Sequence, residues 1–397
     1  MPITSSLIRA RIAGATLFFI NGTGFATWIP HIPFAQRKFG LDEATLGLTL
    51  LSIAAGAVVT MPPAGGLIAR WGSRRVCVLS VFAFCAVIPF ILVTDSYPLF
   101  VSMLFLLGAF GGALDVAMNA HGVYVEREYG QPIMSSFHGM FSLGGLVGAG
   151  VAAGLLATGW TPTQHMMLMS VVLLGLSAVA IRFLLPPEPK LVTESEVAEP
   201  LFALPRERPM LLLAGLAFFV LVTEGAMADW TAVYLEAMPG TGASLAAVGF
   251  AAFSLTMAAG RLTGDFIVRA LGRVAVVRWG SALGLFGVLL ASLTPTAPYP
   301  AIVGFALVGL GMANVIPIIF SAAGYLSPSS PGRGIAAVTT AGYFGFLVGP
   351  PLIGLLAKQI TLSGAFQVMA ASLLLVVVGA SQVRKHRDTS VPVDHKS

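Results

Sequence analysis

Long apolar runs recur along almost the whole chain, and short breaks rich in proline, glycine or charge separate them. A helix needs about twenty mostly apolar residues to cross the hydrocarbon core of a bilayer. Twelve runs have this character: 9–32, 45–69, 75–94, 98–121, 134–157, 164–185, 210–235, 244–268, 274–294, 299–325, 334–357 and 362–383. The pattern predicts an all-α integral membrane protein with twelve transmembrane helices.

The composition supports lipid as the main solvent of this chain. Of 397 residues, 56% are apolar and only 10% are charged, whereas soluble domains are about a quarter charged. The 45 glycines suit closely packed membrane helices. No basic patch with interleaved aromatic residues is present, which argues against a nucleic-acid partner. The first run lacks a convincing cleavage site, so we interpret it as an uncleaved span rather than a signal peptide.

The distribution of basic residues tests the number of spans, because cytoplasmic loops are enriched in Lys and Arg. With the N-terminus in the cytoplasm and twelve alternating spans, 19 of the 22 Lys and Arg residues fall on or near the cytoplasmic side. Only Arg37, Lys38 and Lys358 fall outside. Eleven or thirteen spans would scramble this asymmetry. We predict a bacterial-type inner-membrane protein with both termini, including a short basic tail, in the cytoplasm.

The chain repeats itself at an offset of about 200 residues. Four matches occur in the same order: Trp28 with Trp230, Arg70 with Arg269, Asp115-Val116 with Asn314-Val315, and 145–148 with 346–349. The longest polar segment lies between the repeats and is rich in proline and glutamate. We predict two pseudo-symmetric six-helix bundles, 1–185 and 210–397, joined by a cytoplasmic linker at 186–209. Such repeats are typical of secondary transporters, whose substrate binds at mid-depth between the halves.

The segment between the second and third spans reads GGLIARWGSRR, residues 65–75. It resembles the signature loop of the major facilitator superfamily, which combines glycines, an acid and basic residues. The glycines and basic residues fit, whereas Ala69 stands at the acidic position and Val268 does so in the second copy. The alternative is a tight basic turn that only fixes topology. The residues assigned here to gating or to structure are Arg70, Arg74, Arg75 and Arg269.

Further stretches narrow the resemblance to the rhizopine-permease-like branch (MosC- and YbjJ-like proteins). They are LDVAMN at 114–119, FH at 137–138, EGAMADW at 224–230 and GYFG at 342–345. The branch implies fold and transport, and leaves the cargo open.

A fainter similarity links the fourth span to the L-fucose–proton symporters. In those proteins a Glu followed four residues later by Asn takes part in proton coupling, and Asp115 and Asn119 match that pair. Ile29 stands where those symporters carry an aspartate, so their full mechanism does not transfer.

Ionisable groups within the spans are functional candidates, because a charge inside a membrane costs at least a few kcal/mol. Asp115 lies slightly below mid-depth, and Asn119 shares its helix face. Low dielectric disfavours the charged carboxylate, so Asp115 could load a proton. His138 could relay that proton. Structural hydrogen bonds are the alternative for these residues.

Four more charges lie in the seventh and eighth spans. Glu224, close to mid-depth, could bind a proton, a sodium ion or a polar substrate group; pairing with a serine or a cation on another helix is the alternative. Asp229 lies on a different face, nearer the outer surface, where it suits a gate or a solvated mouth. Arg261 and Asp265 are four residues apart, and we expect them to form an ion pair within their helix.

Amide and aromatic residues complete a possible substrate pocket. Such groups suit a hydroxyl-bearing solute such as a sugar or cyclitol. For the two tryptophans, anchoring at the membrane interface or packing is an equal alternative. The predicted substrate-binding set is Asn21, Trp28, Glu224, Trp230, Asn314, Tyr343 and Phe344.

These features predict a secondary active transporter that moves a small solute by alternating access with proton coupling. We expect a monomer without cofactor or catalytic residues, since neither a GxxxxGK[ST] loop nor an HExxH cluster occurs. The alternatives are proton-driven efflux of drugs or metabolites, a membrane-embedded enzyme acting on lipid-linked substrates, and a non-transporting sensor of the same fold.

Overall fold

The computed structural model describes residues 4–41, 43–186, 207–239, 241, 243–327 and 331–384, and its regular structure in these ranges is helical. Two 3-10 turns, Ile29–His31 and Ala380–Val383, accompany the α-helices. The α-helices are α1 (Ser5–Trp28), α2 (Ile32–Phe39), α3 (Glu43–Trp71), α4 (Ser73–Val87), α5 (Phe90–Val93), α6 (Tyr97–Tyr129), α7 (Met134–Ala157), α8 (Pro162–Ala180), α9 (Arg208–Glu236), α10 (Ala243–Leu271), α11 (Arg273–Leu293), α12 (Pro298–Met312), α13 (Val315–Leu326) and α14 (Pro331–Gly379).

Helices cover all twelve predicted spans, so the predicted fold class is confirmed. Ten described segments are long and apolar enough to cross a bilayer. The other two predicted spans, 244–268 and 334–357, lie in α10 and in the first part of α14. Arg261 and Asp265 lower the hydropathy of α10. Most of the predicted linker and most of the basic tail lie outside the described residues, and the bundle boundaries stay predictions.

Helix α14 contains the eleventh and twelfth spans and is interrupted at Thr361. There φ is 76°, in the left-handed region, which a β-branched residue rarely adopts. The chain therefore turns between the two spans without a long loop.

The same helix pairings recur in both halves of the chain. In the first half α1 packs against α7, and α6 packs against α3 and α4. In the second half α9 packs against α14, and α12 packs against α10 and α11. Each pairing joins elements related by the offset of about 200 residues. The repeat found in the sequence is thus a repeat of packing.

Close backbone approach fixes the first of these pairings. A Cβ atom placed on Gly144 of α7 would lie 2.2 Å from the carbonyl oxygen of Phe19 in α1. A Cβ atom on Gly345 of α14 would lie 2.5 Å from the carbonyl oxygen of Phe218 in α9. Small residues let membrane helices approach this closely, where dispersion contacts replace the missing hydrophobic driving force.

We predict that Gly144→Ala lowers the thermal unfolding midpoint in detergent, because the added methyl group overpacks the α1–α7 contact at a cost of about 1–3 kcal/mol. Gly150→Ala, on the same helix, is the control: a Cβ atom there meets no heavy atom within 4 Å. It should be neutral or stabilising by about 0.5–1 kcal/mol. Equal midpoints for the two variants would show that this crossing does not depend on a glycine.

Candidate functional site

A buried polar cluster lies where α6 faces α7. Asn119 Nδ2 donates to the backbone oxygen of Asp115 at 2.8 Å and to its Oδ1 at 3.3 Å. His138 Nε2 donates to Asn119 Oδ1 at 3.1 Å. All three side chains are buried. The second carboxylate oxygen of Asp115, Oδ2, receives no hydrogen bond from the described residues. The structure thus brings the three predicted proton-coupling residues of the first half together.

A second cluster joins α9 to α10. The Arg261 guanidinium lies 3.3 Å from Glu224 Oε2, and both side chains are largely shielded from solvent. Arg261 also donates to the carbonyl oxygen of Ala313 at 3.2 Å and to Ser142 Oγ, in the other half, at 3.1 Å. The predicted Arg261–Asp265 pair within α10 is therefore wrong. Partners on neighbouring helices outcompete the neighbour one turn away.

The two clusters meet at the boundary between the halves. Tyr343, from α14, lies close enough to Asp115 and Glu224 for their charges to act on its hydroxyl group. His138 is likewise within range of the charge of Arg261, and its ring lies 5.9 Å from that of Phe320 in the second half. Polar and ionisable groups from both halves thus lie together in one network, which we call the central network: Asp115, Asn119, His138, Glu224, Arg261 and Tyr343.

Each half contributes one predicted amide: Asn21 in α1 and Asn314 between α12 and α13. Asn21 Nδ2 lies 3.7 Å from the Met118 sulfur, and Asn314 Nδ2 donates to the carbonyl oxygen of Gly260 at 3.0 Å. Each side-chain oxygen is buried and receives no hydrogen bond from the described residues. Both oxygens are therefore potential acceptors for a hydroxyl group.

The remaining predicted pocket residues lie in different environments. Trp28 is buried and packs against Phe100, with ring centroids 5.8 Å apart, which favours the packing alternative over interface anchoring. Trp230 is half-buried against α14 near Gly354. Phe344 is 50% exposed. Asp229 is exposed, as expected for a solvated position.

Cross-half contacts gather at the end of the molecule that carries the basic turns, which we call the basic end. Arg11 of α1 forms an ion pair with Asp265 of α10 at 3.1 Å. The backbone N–H of Ser136 donates to the other oxygen of Asp265 at 2.9 Å. Asp265, predicted to pair within its own helix, instead connects three helices across the boundary.

Glu126 is the centre of a second cross-half contact that sequence reasoning missed. Its carboxylate lies 2.8 Å from the Arg273 guanidinium and accepts a 2.5 Å hydrogen bond from Ser321 Oγ, both in the second half. It also accepts the backbone N–H groups of Ile133 and Met134 at 2.9 and 3.1 Å. The side chain is only 2% exposed. We call this set the Glu126 latch.

A signal for Glu126 was present in the sequence. It lies eleven residues after Asp115 and seven after Asn119, so all three occupy one face of α6 at 3.6 residues per turn. Glu126 stands next to two further charged residues, Arg127 and Glu128, so the segment resembles an ordinary polar helix end.

Other arginines at the basic end divide into two groups. Arg127 donates to the carbonyl oxygen of Gly324 and stacks over Tyr325, and Arg269 donates to Gln131 at 2.9 Å; both contacts cross the boundary. Arg74 donates to the carbonyl oxygen of Ile181 in its own half at 3.4 Å. Of the four predicted gating arginines, Arg269 makes a described cross-half hydrogen bond, Arg70 is half-buried and Arg75 is exposed.

At the opposite end, the described polar contacts stay within one half. Lys38 pairs with Asp95 at 2.9 Å. Tyr234 contacts Ser363 at 3.1 Å. His31 is buried and hydrogen-bonded to His165 at 2.8 Å. The halves are therefore joined by charge from mid-depth to the basic end.

We predict that Glu224→Gln and Arg261→Gln each lower the unfolding midpoint, because removing one partner of a buried ion pair costs about 3–5 kcal/mol. The double variant should lose less than the sum, with a coupling energy of at least about 1 kcal/mol. Thermal unfolding of the four proteins in detergent gives the cycle, and Asp229→Asn is the exposed control. Additive losses would mean that the 3.3 Å contact contributes nothing specific.

The chain is similar in sequence to known membrane proteins over most of its length. The family model of the Major Facilitator Superfamily matches residues 14–267. An uncharacterized MFS-type transporter of Yersinia pestis is 39% identical over 386 residues, covering 97% of each chain. The membrane protein MosC of Rhizobium meliloti is 34% identical, covering 94% of this chain and 90% of MosC.

Two solved structures share the fold. The major facilitator transporter FucP, in an outward conformation, aligns with a TM-score of 0.80 at 16% identity, covering 96% of this chain and 99% of FucP. The proton:xylose symporter XylE aligns with a TM-score of 0.74 at 12% identity, covering 95% of each chain.

Proposed function

Because the chain belongs to the major facilitator superfamily, we propose that it is a secondary active transporter that couples the movement of a polar small solute to protons. The predicted resemblance to this superfamily and to its MosC-like branch is confirmed, and so is the expectation of a transporter rather than an enzyme. The chain is a multi-pass membrane protein. Its coupling ion, its cargo and its orientation are parts of the proposal.

The observation that carries proton coupling is the environment of Asp115. Its carboxyl group is buried, and its hydrogen-bond partner, Asn119, is neutral. The guanidinium of the network, that of Arg261, forms an ion pair with Glu224 instead. An unpaired buried charge costs far more than a neutral carboxyl group. Asp115 would therefore carry a proton in this state and release it when the site becomes hydrated.

Release of that proton would act on both halves. Asp115 interacts electrostatically with Tyr343, which also interacts with Glu224. A negative charge on Asp115 would therefore favour entry of water at the Asp115 carboxylate or a rearrangement in which Arg261 changes its partner. Either change requires the halves to move. Alternating access by rocking of two bundles about a central site provides that movement.

The contacts at the basic end, together with the predicted topology, indicate which side of the membrane this conformation faces. With both termini in the cytoplasm, the Glu126 latch and the Arg11–Asp265 pair close the cytoplasmic side. This conformation would accept solute and proton from the opposite side. Opening toward the cytoplasm would require the two ion pairs to separate.

The polar groups at the boundary favour a hydroxylated solute over an apolar one. Buried acceptor oxygens on Asn21 and Asn314 and the charges of the central network suit hydroxyl donors. The names of the fold neighbours, a fucose:proton symporter and a proton:xylose symporter, support a sugar or cyclitol. Efflux of apolar drugs would require a more apolar boundary.

We predict that Asp115→Asn uncouples transport from protons. Purified protein in liposomes containing pyranine is tested first for counterflow of L-fucose, D-xylose and myo-inositol. With the probe that gives counterflow, its addition should acidify the lumen of wild-type vesicles. Asp115→Asn should lower this proton flux at least tenfold while counterflow persists, because an amide cannot carry the proton.

Glu128→Gln is the control, since it removes an exposed carboxylate with no assigned role in transport and should keep both activities. Proton flux that survives Asp115→Asn would refute the assigned coupling site. Counterflow with none of the three probes would refute the assigned cargo class and would leave the proton question to other solutes.

A further inference from the structure

A cleft of about 520 Å³ opens at the turn between α3 and α4, away from the central network. Trp71, Arg74, Arg75, Val78 and Leu79 line it. Arg74 and Arg75 belong to the predicted gating or structural arginines, but the proposed transport cycle uses none of these five side chains.

The helix periodicity of α4 divides the cleft into a basic and an apolar level. Arg74 and Val78 are four residues apart, as are Arg75 and Leu79, so each arginine lies above an aliphatic side chain on the same face. One turn of helix separates the two levels by about 6 Å. Leu79 is 60% exposed and Trp71 is 43% exposed. From the basic end toward the hydrocarbon, the cleft therefore presents first the tryptophan, then the two arginines, and then the aliphatic side chains.

Neither arginine of the cleft has a carboxylate partner among the described residues. Arg74 makes one described hydrogen bond, to the carbonyl oxygen of Ile181. Ala69 stands where the family signature places an acid, so that position supplies no internal counter-ion. Within the described residues, the two guanidinium groups therefore have donors available for an external anion.

The matching turn of the second half provides an internal contrast. Each turn contains a glycine with φ near 80°, Gly72 or Gly272. Arg273 follows Gly272 directly, whereas Ser73 separates Gly72 from Arg74 and Arg75. Arg273, however, is paired with Glu126 and stacked on Tyr325. The turn in the second half thus supplies an arginine that joins the halves, whereas the arginines after the first turn have no carboxylate partner among the described residues.

We propose that this cleft binds the phosphate of an anionic phospholipid, with an acyl chain lying along Val78 and Leu79. Arginine binds phosphate oxygens through its planar fork of donors. Tryptophan is favoured at the level of the headgroups, and basic pockets next to membrane helices suit anionic headgroups. The exposed aliphatic wall below the arginines selects a lipid, because inorganic phosphate would leave that wall without a partner.

Native mass spectrometry of the full-length protein in detergent tests this site. Phosphatidylglycerol should bind at least fivefold more tightly than phosphatidylcholine of the same chains. The double variant Arg74→Gln/Arg75→Gln should remove that preference. The control Arg9→Gln/Arg384→Gln removes the same charge from two exposed positions at the basic end. This control should retain the preference for phosphatidylglycerol.

A second variant distinguishes this site from simple charge attraction. Leu79→Ser keeps both arginines and should weaken phosphatidylglycerol binding at least twofold. It also provides the test if the double arginine variant fails to fold, as judged by its unfolding midpoint.

Three results would overturn the proposal. One is equal affinity for the two lipids in the wild type. Another is loss of the preference in the control to the same degree as in the cleft variant. The third is protection from thermal unfolding by inorganic phosphate equal to that by short-chain phosphatidylglycerol, which would identify a free phosphate site instead.

Discussion

The structure depends on one constraint, which is that ionisable side chains buried in a membrane protein must find partners. An isolated charge in a low-dielectric interior costs several kcal/mol, and only opposite charges and hydrogen bonds offset that cost. This chain supplies many of the partners from the opposite half. Asp265 forms an ion pair with Arg11 and accepts a backbone N–H across the boundary. Glu126 forms an ion pair with Arg273 and accepts a hydrogen bond from Ser321. The boundary between the halves therefore carries several charged contacts in addition to its apolar packing.

Under the proposed transport cycle, this arrangement would let a substrate site and a gate share one boundary. Where pairs cross the boundary at the basic end, separation of the halves must expose or replace them. At mid-depth, Glu224 and Arg261 satisfy each other within one half, and Asp115 lies nearby with only neutral hydrogen-bond partners. A change of protonation at Asp115 and separation of the halves at the basic end would therefore both alter the pairing of charges along this boundary.

Sequence reasoning predicted the helices and the local pairs, because both depend on short-range periodicity. Apolar runs gave the spans, and the spacing of four residues gave the Asp115–Asn119 contact. The same rule failed for Arg261 and Asp265, because tertiary packing offered each a better partner. Arg11 lies 254 residues before Asp265, and no periodicity within one helix relates them. Glu126 was accessible from its eleven-residue spacing to Asp115, whereas its partner Arg273 required the fold.

The most direct test of the two-half account is the distance between the halves measured by double electron–electron resonance. Spin labels at Glu128 and Leu271 report on the basic end, and labels at Ser96 and Thr296 report on the opposite end; all four positions are exposed. Loss of the Glu126 latch in Glu126→Gln/Arg273→Gln should lengthen the first distance by at least about 5 Å and shorten the second. Unchanged distances, or lengthening at both ends, would contradict the claim that cross-half charge holds one face of an alternating-access carrier closed.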